Sequence, residues 1–389
     1  MPSNQPVSRR PVLLLSTGHA CVDVYQGAVA ALVPYFVSER AYSYAAASGI
    51  VLAASLLSSV VQPLFGVLTD RRRMPWLLPV STLVGGVGVA LSGVMGSYAL
   101  TLAVIALSGV GVAAYHPAAA RTARAASGAG HRGMAWFLLG GNLGFAGGPL
   151  LVTAVVATGG LGASPLLVVP ALAGAALCLA ALRSLSEVEP AAGAGRDNGP
   201  KAGGTAVGSG SDDWRSFLLL SGAVVTRSIV FVGLAAFISL YTQERTGGGA
   251  TAGTIALFTL YLGGAVGTVV GGRLAGRWGR LAVVRWSYAL TVPAVAGVVL
   301  VPGPAIYLCV ALASAGLYVP FSLHLTLAQD YLPGRIGTAS GVTLGLTVSV
   351  GGVASPFIGA AADSAGLQVA LAPLIVLPAV GWLLLRRLG

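Results

Sequence analysis

His19 and Asp23 stand four residues apart inside an apolar run that begins at Pro11 and continues to Val37. That spacing places both side chains on one face of a helix, and Gln26 closes the same polar stretch. A carboxylate inside a membrane span costs about 2.5–3.5 kcal/mol on insertion scales, so Asp23 must face protein, water or a partner. Two chemistries suit the pair. Asp23 can carry a proton, with His19 modulating access to it. Alternatively, both can ligate a metal, as in an intramembrane hydrolase, but only if His116 and His324 converge on them. The second basic candidate is Arg227, about ten residues into a later apolar run. A buried cation needs an opposite charge or a polar cavity, and Asp23 is expected to be its partner.

Elements that could hold such groups follow from composition. Of 389 residues 56% are hydrophobic and 8% charged, against about a quarter charged in soluble domains. An all-α integral membrane protein is therefore expected, with the lipid bilayer as its solvent. The net charge of +11 lies in short loops without interleaved aromatics, which argues for topology and against nucleic acid. Cys21, Cys178 and Cys309 all fall in apolar runs and read as packing thiols. Arg9, Arg10 and Pro11 faintly resemble a twin-arginine export signal, but the run behind them is too long for one, so an uncleaved first span is expected.

Twelve runs have the length a bilayer core demands, near residues 12–37, 43–68, 75–95, 98–119, 133–157, 163–183, 216–242, 252–274, 282–301, 305–327, 336–361 and 367–385. With that count, nineteen of the 22 basic residues fall on one side, and the positive-inside rule puts both termini in the cytoplasm. A stretch rich in Gly, Ala, Ser and Pro reads as a flexible linker. The expected organisation is a bundle of six spans over 1–185, a cytoplasmic linker over 186–213 and a second bundle over 214–389.

The two halves repeat one another. Gly66, Asp70 and Arg71–Arg73 follow span 2, and Gly272, Gly276, Arg277 and Arg280 follow span 8; Gly148 and Pro149 in span 5 match Gly352 and Pro356 in span 11. Six plus six spans with internal repetition resembles the major facilitator superfamily, which implies two facing bundles and a substrate site near the midplane between them. The resemblance assigns Gly66, Asp70 and Arg71 to a gating motif, with Arg121, Arg124, Asp330 and Arg277 as further gate or edge residues. Gly276 stands where an acid is expected in the second copy. Pro117, Gly148, Pro149 and Pro356 are expected to pack or kink helices.

A narrower resemblance rests on Tyr115, His116, Pro117, Arg121, Arg124, Ser127 and Gly128, followed by His131, Arg132 and Gly133. Ala328, Gln329, Asp330, Leu332, Pro333, Gly334 and Arg335 carry it in the second half. This pattern is similar to the fosmidomycin-resistance family of drug exporters. Asp330 stands for the family's usual Glu, Val22 for a frequent Asn, and Ser239 for a Pro. The resemblance implies proton-coupled efflux of a small drug-like or toxic molecule by a monomer in the inner (cytoplasmic) membrane. Asp23, His19 and Arg227 are then the expected proton-coupling residues, and Gln26, His116 and Asn142 the expected substrate-binding ones. His116 can equally be read as stabilising the helix kink before Pro117, and His324 as a satisfied packing residue. No phosphate-binding Gly-Lys-Ser/Thr loop is present, and neither a cofactor nor a metal is expected. A facilitator or proton symporter importing a nutrient stays open, as does a non-transporting receptor.

Overall fold

The structure is a computed structural model that describes residues 9–72, 74–127, 131–188 and 211–388. Arg73 and residues 189–210 of the expected linker lie outside them. Every regular element among the described residues is helical. The first half holds α1 (Arg9–Arg40), α2 (Tyr44–Arg71), α3 (Leu77–Ser92), α4 (Tyr98–Ala126), α5 (His131–Gly159) and α6 (Val169–Val188). The second holds α7 (Trp214–Thr246), α8 (Gly249–Trp278), α9 (Arg280–Leu300), α10 (Ile306–Tyr318), α11 (Phe321–Tyr331), α12 (Ile336–Ala365), α13 (Leu367–Leu371) and α14 (Val376–Arg386).

These helices make twelve apolar passages in the expected order. Ten helical runs are long and apolar enough to cross a membrane; one of them, Gly133–Ser186, contains both α5 and α6, and α3 is a shorter apolar helix. Two passages are broken. The tenth stops at Tyr318 and resumes at Phe321, beside Pro320, which has no N–H to continue the ladder. The last is divided into α13, a 3-10 turn at Ala372–Ile375 and α14. Helix α6 runs through Val188, three residues into the stretch expected to be linker.

Helix starts follow local chemistry. Ser43 caps α2 by accepting from the Ala46 N–H at 3.1 Å, Ser97 caps α4 and Asp213 caps α7. Hydrogen bonds from the Ser216 hydroxyl and N–H hold the Asp213 carboxyl below its usual range. Gly247, with φ +65°, ends α7 in the left-handed conformation. In the interior, tyrosine hydroxyls reach carbonyls of other elements: Tyr25 donates to Leu167 at 2.7 Å and Tyr288 to Ala223 at 2.6 Å. A polar group with no water nearby needs such a partner.

Helices α1 and α7 are the most enclosed, with 72% and 78% of their apolar windows buried, against 7% for α2. Large apolar side chains such as Phe357, Leu13 and Leu172 stand on the outer surface, as lipid-facing positions require. Gly140, Gly144 and Gly148 of α5 face Ser16, Ala20 and the backbone of residues 24–28 on α1, where a Cβ would collide with main-chain atoms. Small residues at this i, i+4, i+8 spacing let the two backbones meet, and that contact positions the site.

Candidate functional site

Asp23 sits between two imidazoles. His19 Nε2 lies 3.1 Å from Asp23 Oδ2, and His116 Nε2, on α4, lies 3.1 Å from Asp23 Oδ1. Gln26 Nε2 donates to Oδ1 at 3.0 Å. The outer ring nitrogens are also fixed: His19 Nδ1 pairs with the Phe137 carbonyl at 2.9 Å and His116 Nδ1 with the Val112 carbonyl at 2.8 Å. A carbonyl only accepts, so each Nδ1 carries its proton, and each neutral ring turns a lone pair at Nε2 toward the carboxylate. Each 3.1 Å contact therefore needs a proton on Nε2 or on Asp23 to be attractive. The three side chains form one buried polar cluster.

The surrounding helices shape it. Phe137 of α5 stacks on the His19 ring at 4.1 Å between centroids. A Cβ on Gly141, also of α5, would lie 2.5 Å from His19 Cε1 and 2.6 Å from Asp23 Oδ2, so only glycine leaves room for the pair. His116 returns a hydrogen bond to the Val112 carbonyl of its own helix just before Pro117, as the kink reading expected, and it also binds Asp23, a contact the sequence did not suggest. Exposure falls inward, with the side chains of His116, Asp23 and His19 23%, 11% and 5% exposed. His116 stands at the mouth, and His19 at the closed end.

Gln26 and His116 line a cavity of about 500 Å³ between the two halves, whose other walls include Val51 and Gln62 of α2, Phe145 of α5, Phe231 of α7, Tyr261 of α8 and Leu344 of α12. At the end away from the chain termini, the halves are joined. The Asp363 carboxylate of α12 accepts from the N–H groups of Tyr44 and Ala45 at 2.7 and 3.0 Å, and Tyr44 donates its hydroxyl to Glu244 of α7 at 3.1 Å. Thr153 of α5 and Thr254 of α8 meet at 2.5 Å. The cavity thus opens toward the end that carries the termini, past Gln62, Pro63, Ser340 and Gly341.

Several expected residues fall elsewhere. Arg227 does not meet Asp23. Its Nη1 donates to the Leu317 carbonyl at 3.1 Å, its guanidinium lies over the Phe321 ring, and a narrow void lined by Tyr288, Thr291, Gly316 and Pro378 adjoins it. It points into the second-half helices, while Phe231, Val232 and Ala235 carry the cavity face of α7. Its Nε and Nη2 have no partner among the described residues, and neither has His324 Nε2, so His324 is not the satisfied packing residue expected. Asn142 approaches Gly264 across the α5–α8 contact and is not among the described cavity-lining residues.

The expected gate residues lie at the open end. Gly66, Asp70 and Arg71 belong to the last turns of α2, not to a loop; the Asp70 side chain lies outside what is described. Nothing is within 4 Å of a Cβ on Gly66, so it supports no close packing in this state. Arg121 donates to the Thr69 carbonyl, tying α4 to α2. Arg124 is exposed, and Arg277 lies over Trp278. Asp330 pairs with Arg280 and not with Arg277. Pro117, Pro149 and Pro356 lie inside α4, α5 and α12.

His19, Asp23 and His116 offer three potential ligand atoms within 4.8 Å of one another. Separations of 3.1 Å fit shared protons and also the donor-to-donor edges of a tetrahedral metal site, which would need a fourth donor as well. Phe137 and Gly141 were not singled out in the sequence; the glycine run from Gly140 was the available signal for the second of them.

The family model described as Major Facilitator Superfamily matches residues 15–356. The chain is 29% identical over 374 residues to the fosmidomycin resistance protein of Escherichia coli (strain K12), covering 95% of this chain and 90% of the relative. It is equally similar, with the same coverage, to the MFS-type transporter YfnC of Bacillus subtilis (strain 168). Among solved structures, a bacterial homologue of the human lysosomal transporter Spinster, inward-facing and occupied, superposes with a TM-score of 0.76 at 15% identity, over 99% of this chain and 98% of that one. The nucleoside transporter NupG does so with 0.75 at 11% identity, over 98% and 100%.

Proposed function

Because the chain belongs to the major facilitator superfamily, and is thus a membrane transporter and not an enzyme, we propose that it exports a small drug-like or toxic molecule in exchange for protons held by Asp23, His116 and His19. One observation carries this reading: a carboxylate held between two imidazole Nε2 atoms directly behind Gln26 and His116 on the wall of a cavity that is open at one end. The name of the Escherichia coli relative supports the direction, efflux of a toxic compound.

With two protons shared, both 3.1 Å contacts are attractive, and Asp23 holds α1 and α4 together through His116. Loss of a proton toward the open end turns one contact into a lone pair facing a carboxylate oxygen. That releases His116, the outermost member, while Gln26 keeps its hydrogen bond to the carboxylate. Substrate entry and proton retention then compete for His116, and competition of this kind couples opposite fluxes. Arg227 has no part in the step. The same repulsion forbids a fully deprotonated resting triad, so the cycle returns through reprotonation from the opposite side.

The test is Asp23→Asn in proteoliposomes. Gradient-driven transport should be lost while substrate counterflow, which needs no proton, survives. Undiminished gradient-driven transport would remove Asp23 from coupling. A stoichiometric bound zinc in the purified protein would replace the proton store with a metal site.

A further inference from the structure

We infer that His19, Asp23 and His116 also form a binding site for an added divalent transition-metal ion of the zinc or cobalt class, reached from the cavity. The site itself rests on geometry; that the ion displaces shared protons rests on the reading proposed above. The two imidazoles are presented as metal ligands are. Each Nδ1 is bonded to a main-chain carbonyl, His19 to Phe137 at 2.9 Å and His116 to Val112 at 2.8 Å, which leaves a lone pair at Nε2. Carbonyls in that place fix the tautomer and ring orientation of metal-bound histidines. Both Nε2 atoms face the Asp23 carboxylate at 3.1 Å. In a tetrahedral zinc site with bonds of about 2.0–2.2 Å, neighbouring donors stand about 3.3–3.6 Å apart, so both imidazole–carboxylate edges are already near that length. One ligand atom from each residue lies within 4.8 Å of the others, and a short side-chain movement brings all three onto one ion. The fourth position faces the cavity beside His116, whose side chain is 23% exposed, and water can fill it there.

Charge and donor type agree with this. One carboxylate with two shared protons carries a single net positive charge, and one carboxylate with two neutral imidazoles and a divalent ion carries the same. Metal entry therefore releases both protons and leaves the buried charge unchanged, so it adds no new burden of charge burial. Two imidazoles and one carboxylate suit zinc or cobalt. Magnesium and calcium, which take about six or more ligands, nearly all oxygens, find too few here. His324 is the contrast within the same chain. Its Nε2 is also buried without a partner among the described residues, but it belongs to no group of three such ligands among them.

The purified full chain in detergent, freed of any affinity tag, stripped with a chelator and then freed of that chelator, is titrated with cobalt. The visible band of a four-coordinate cobalt site should grow to one ion per chain. Zinc should bleach it, and magnesium or calcium should not. His19→Gln, Asp23→Asn and His116→Gln should each weaken binding at least about tenfold, since even the groups that orient metal ligands are worth that much. His324→Gln should leave binding unchanged, each variant eluting as a single monodisperse species. If a variant does not elute as one species, zinc-edge X-ray absorption on the unaltered chain decides, where scattering from two imidazole rings is expected. No band, a band that the three substitutions leave intact, or bound zinc without imidazole scattering overturns the inference. A pH indicator in weakly buffered solution should report protons released as metal binds. Binding without release upholds the metal site and removes the shared protons from it, so the two readings fail separately. The titration reads metal that is added; zinc retained through purification is the separate outcome that bears on proton exchange.

Discussion

A carboxylate held by two imidazoles is useful only if its neighbours keep the distances fixed, and at the residue scale Gly141 does this by having no side chain. A Cβ there would reach both His19 and Asp23 within about the length of a hydrogen bond. Gly141→Ala should therefore cost about 1–3 kcal/mol, the usual penalty of overpacking, and should reduce gradient-driven flux. Gly147→Ala is the control, because nothing lies within 4 Å of a Cβ there. Thermal unfolding and proteoliposome flux on both variants check this; equal behaviour would mean the triad tolerates displacement. His116→Gln should lower coupling further than His19→Gln, because His116 is the outermost member of the store, read as the number of protons moved per substrate. The His19–Asp23 relation was legible from i, i+4 spacing alone. The His116 contact was not, because it joins residues 93 positions apart and depends on how α4 is rotated against α1. Arg227 shows the same limit in reverse: depth along a pseudo-equivalent helix does not tell which face a side chain occupies.

At the scale of elements, the joined end depends on a helix terminus. The first turn of α2 presents N–H groups without helical partners, and Asp363 at the far end of α12 accepts two of them. An acid there also meets the positive end of the helix dipole. Asp363→Ala removes a cap worth about 1 kcal/mol, which should shift the population open at this end about fivefold. Spin labels on Gly96 and Ser364, both exposed near this contact, should show a larger long-distance component in the variant by pulsed electron resonance; an unchanged distance distribution would show the cap does not hold the end shut. Twelve apolar passages were legible because each run was long and bounded by charge, Gly or Pro. The break at Pro320 was open to reading, but the helical course of Gly66–Arg71 was not, since charged residues there continue α2 past the apolar boundary instead of forming a loop. The pairing of Asp363 with α2 left no trace in the sequence, as a capping acid so distant along the chain resembles any exposed carboxylate.

For the whole molecule, the two ends differ in both charge and access. Among the described residues, the basic side chains at the ends of α2, α4, α8 and the second half of the broken tenth passage (Arg71, Arg72, Arg121, Arg124, Arg277 and Arg335) lie at the end where the cavity opens, and Arg40 and Arg245 lie at the joined end. Arg40 donates to the Gly93 carbonyl at 2.6 Å and Arg245 to the Leu300 carbonyl at 3.2 Å; each is thus held by backbone at a helix end, which makes it compatible with the less basic face. If positive charge marks the cytoplasm, the cavity of this state faces inward, the side from which the proposed export would load. Gln62 is exposed at the opening and Ser364 is exposed at the opposite end. In a background lacking Cys21, Cys178 and Cys309, a membrane-impermeant maleimide should label Gln62→Cys in inside-out vesicles and spare it in intact cells, and should do the reverse for Ser364→Cys. A swapped pattern would reverse the orientation and with it the direction of export. Labelling of Gln62→Cys should also fall when a cavity ligand is added, because closing over a bound molecule requires the two halves to meet at this end; labelling that ligand leaves unchanged would separate occupancy from closure.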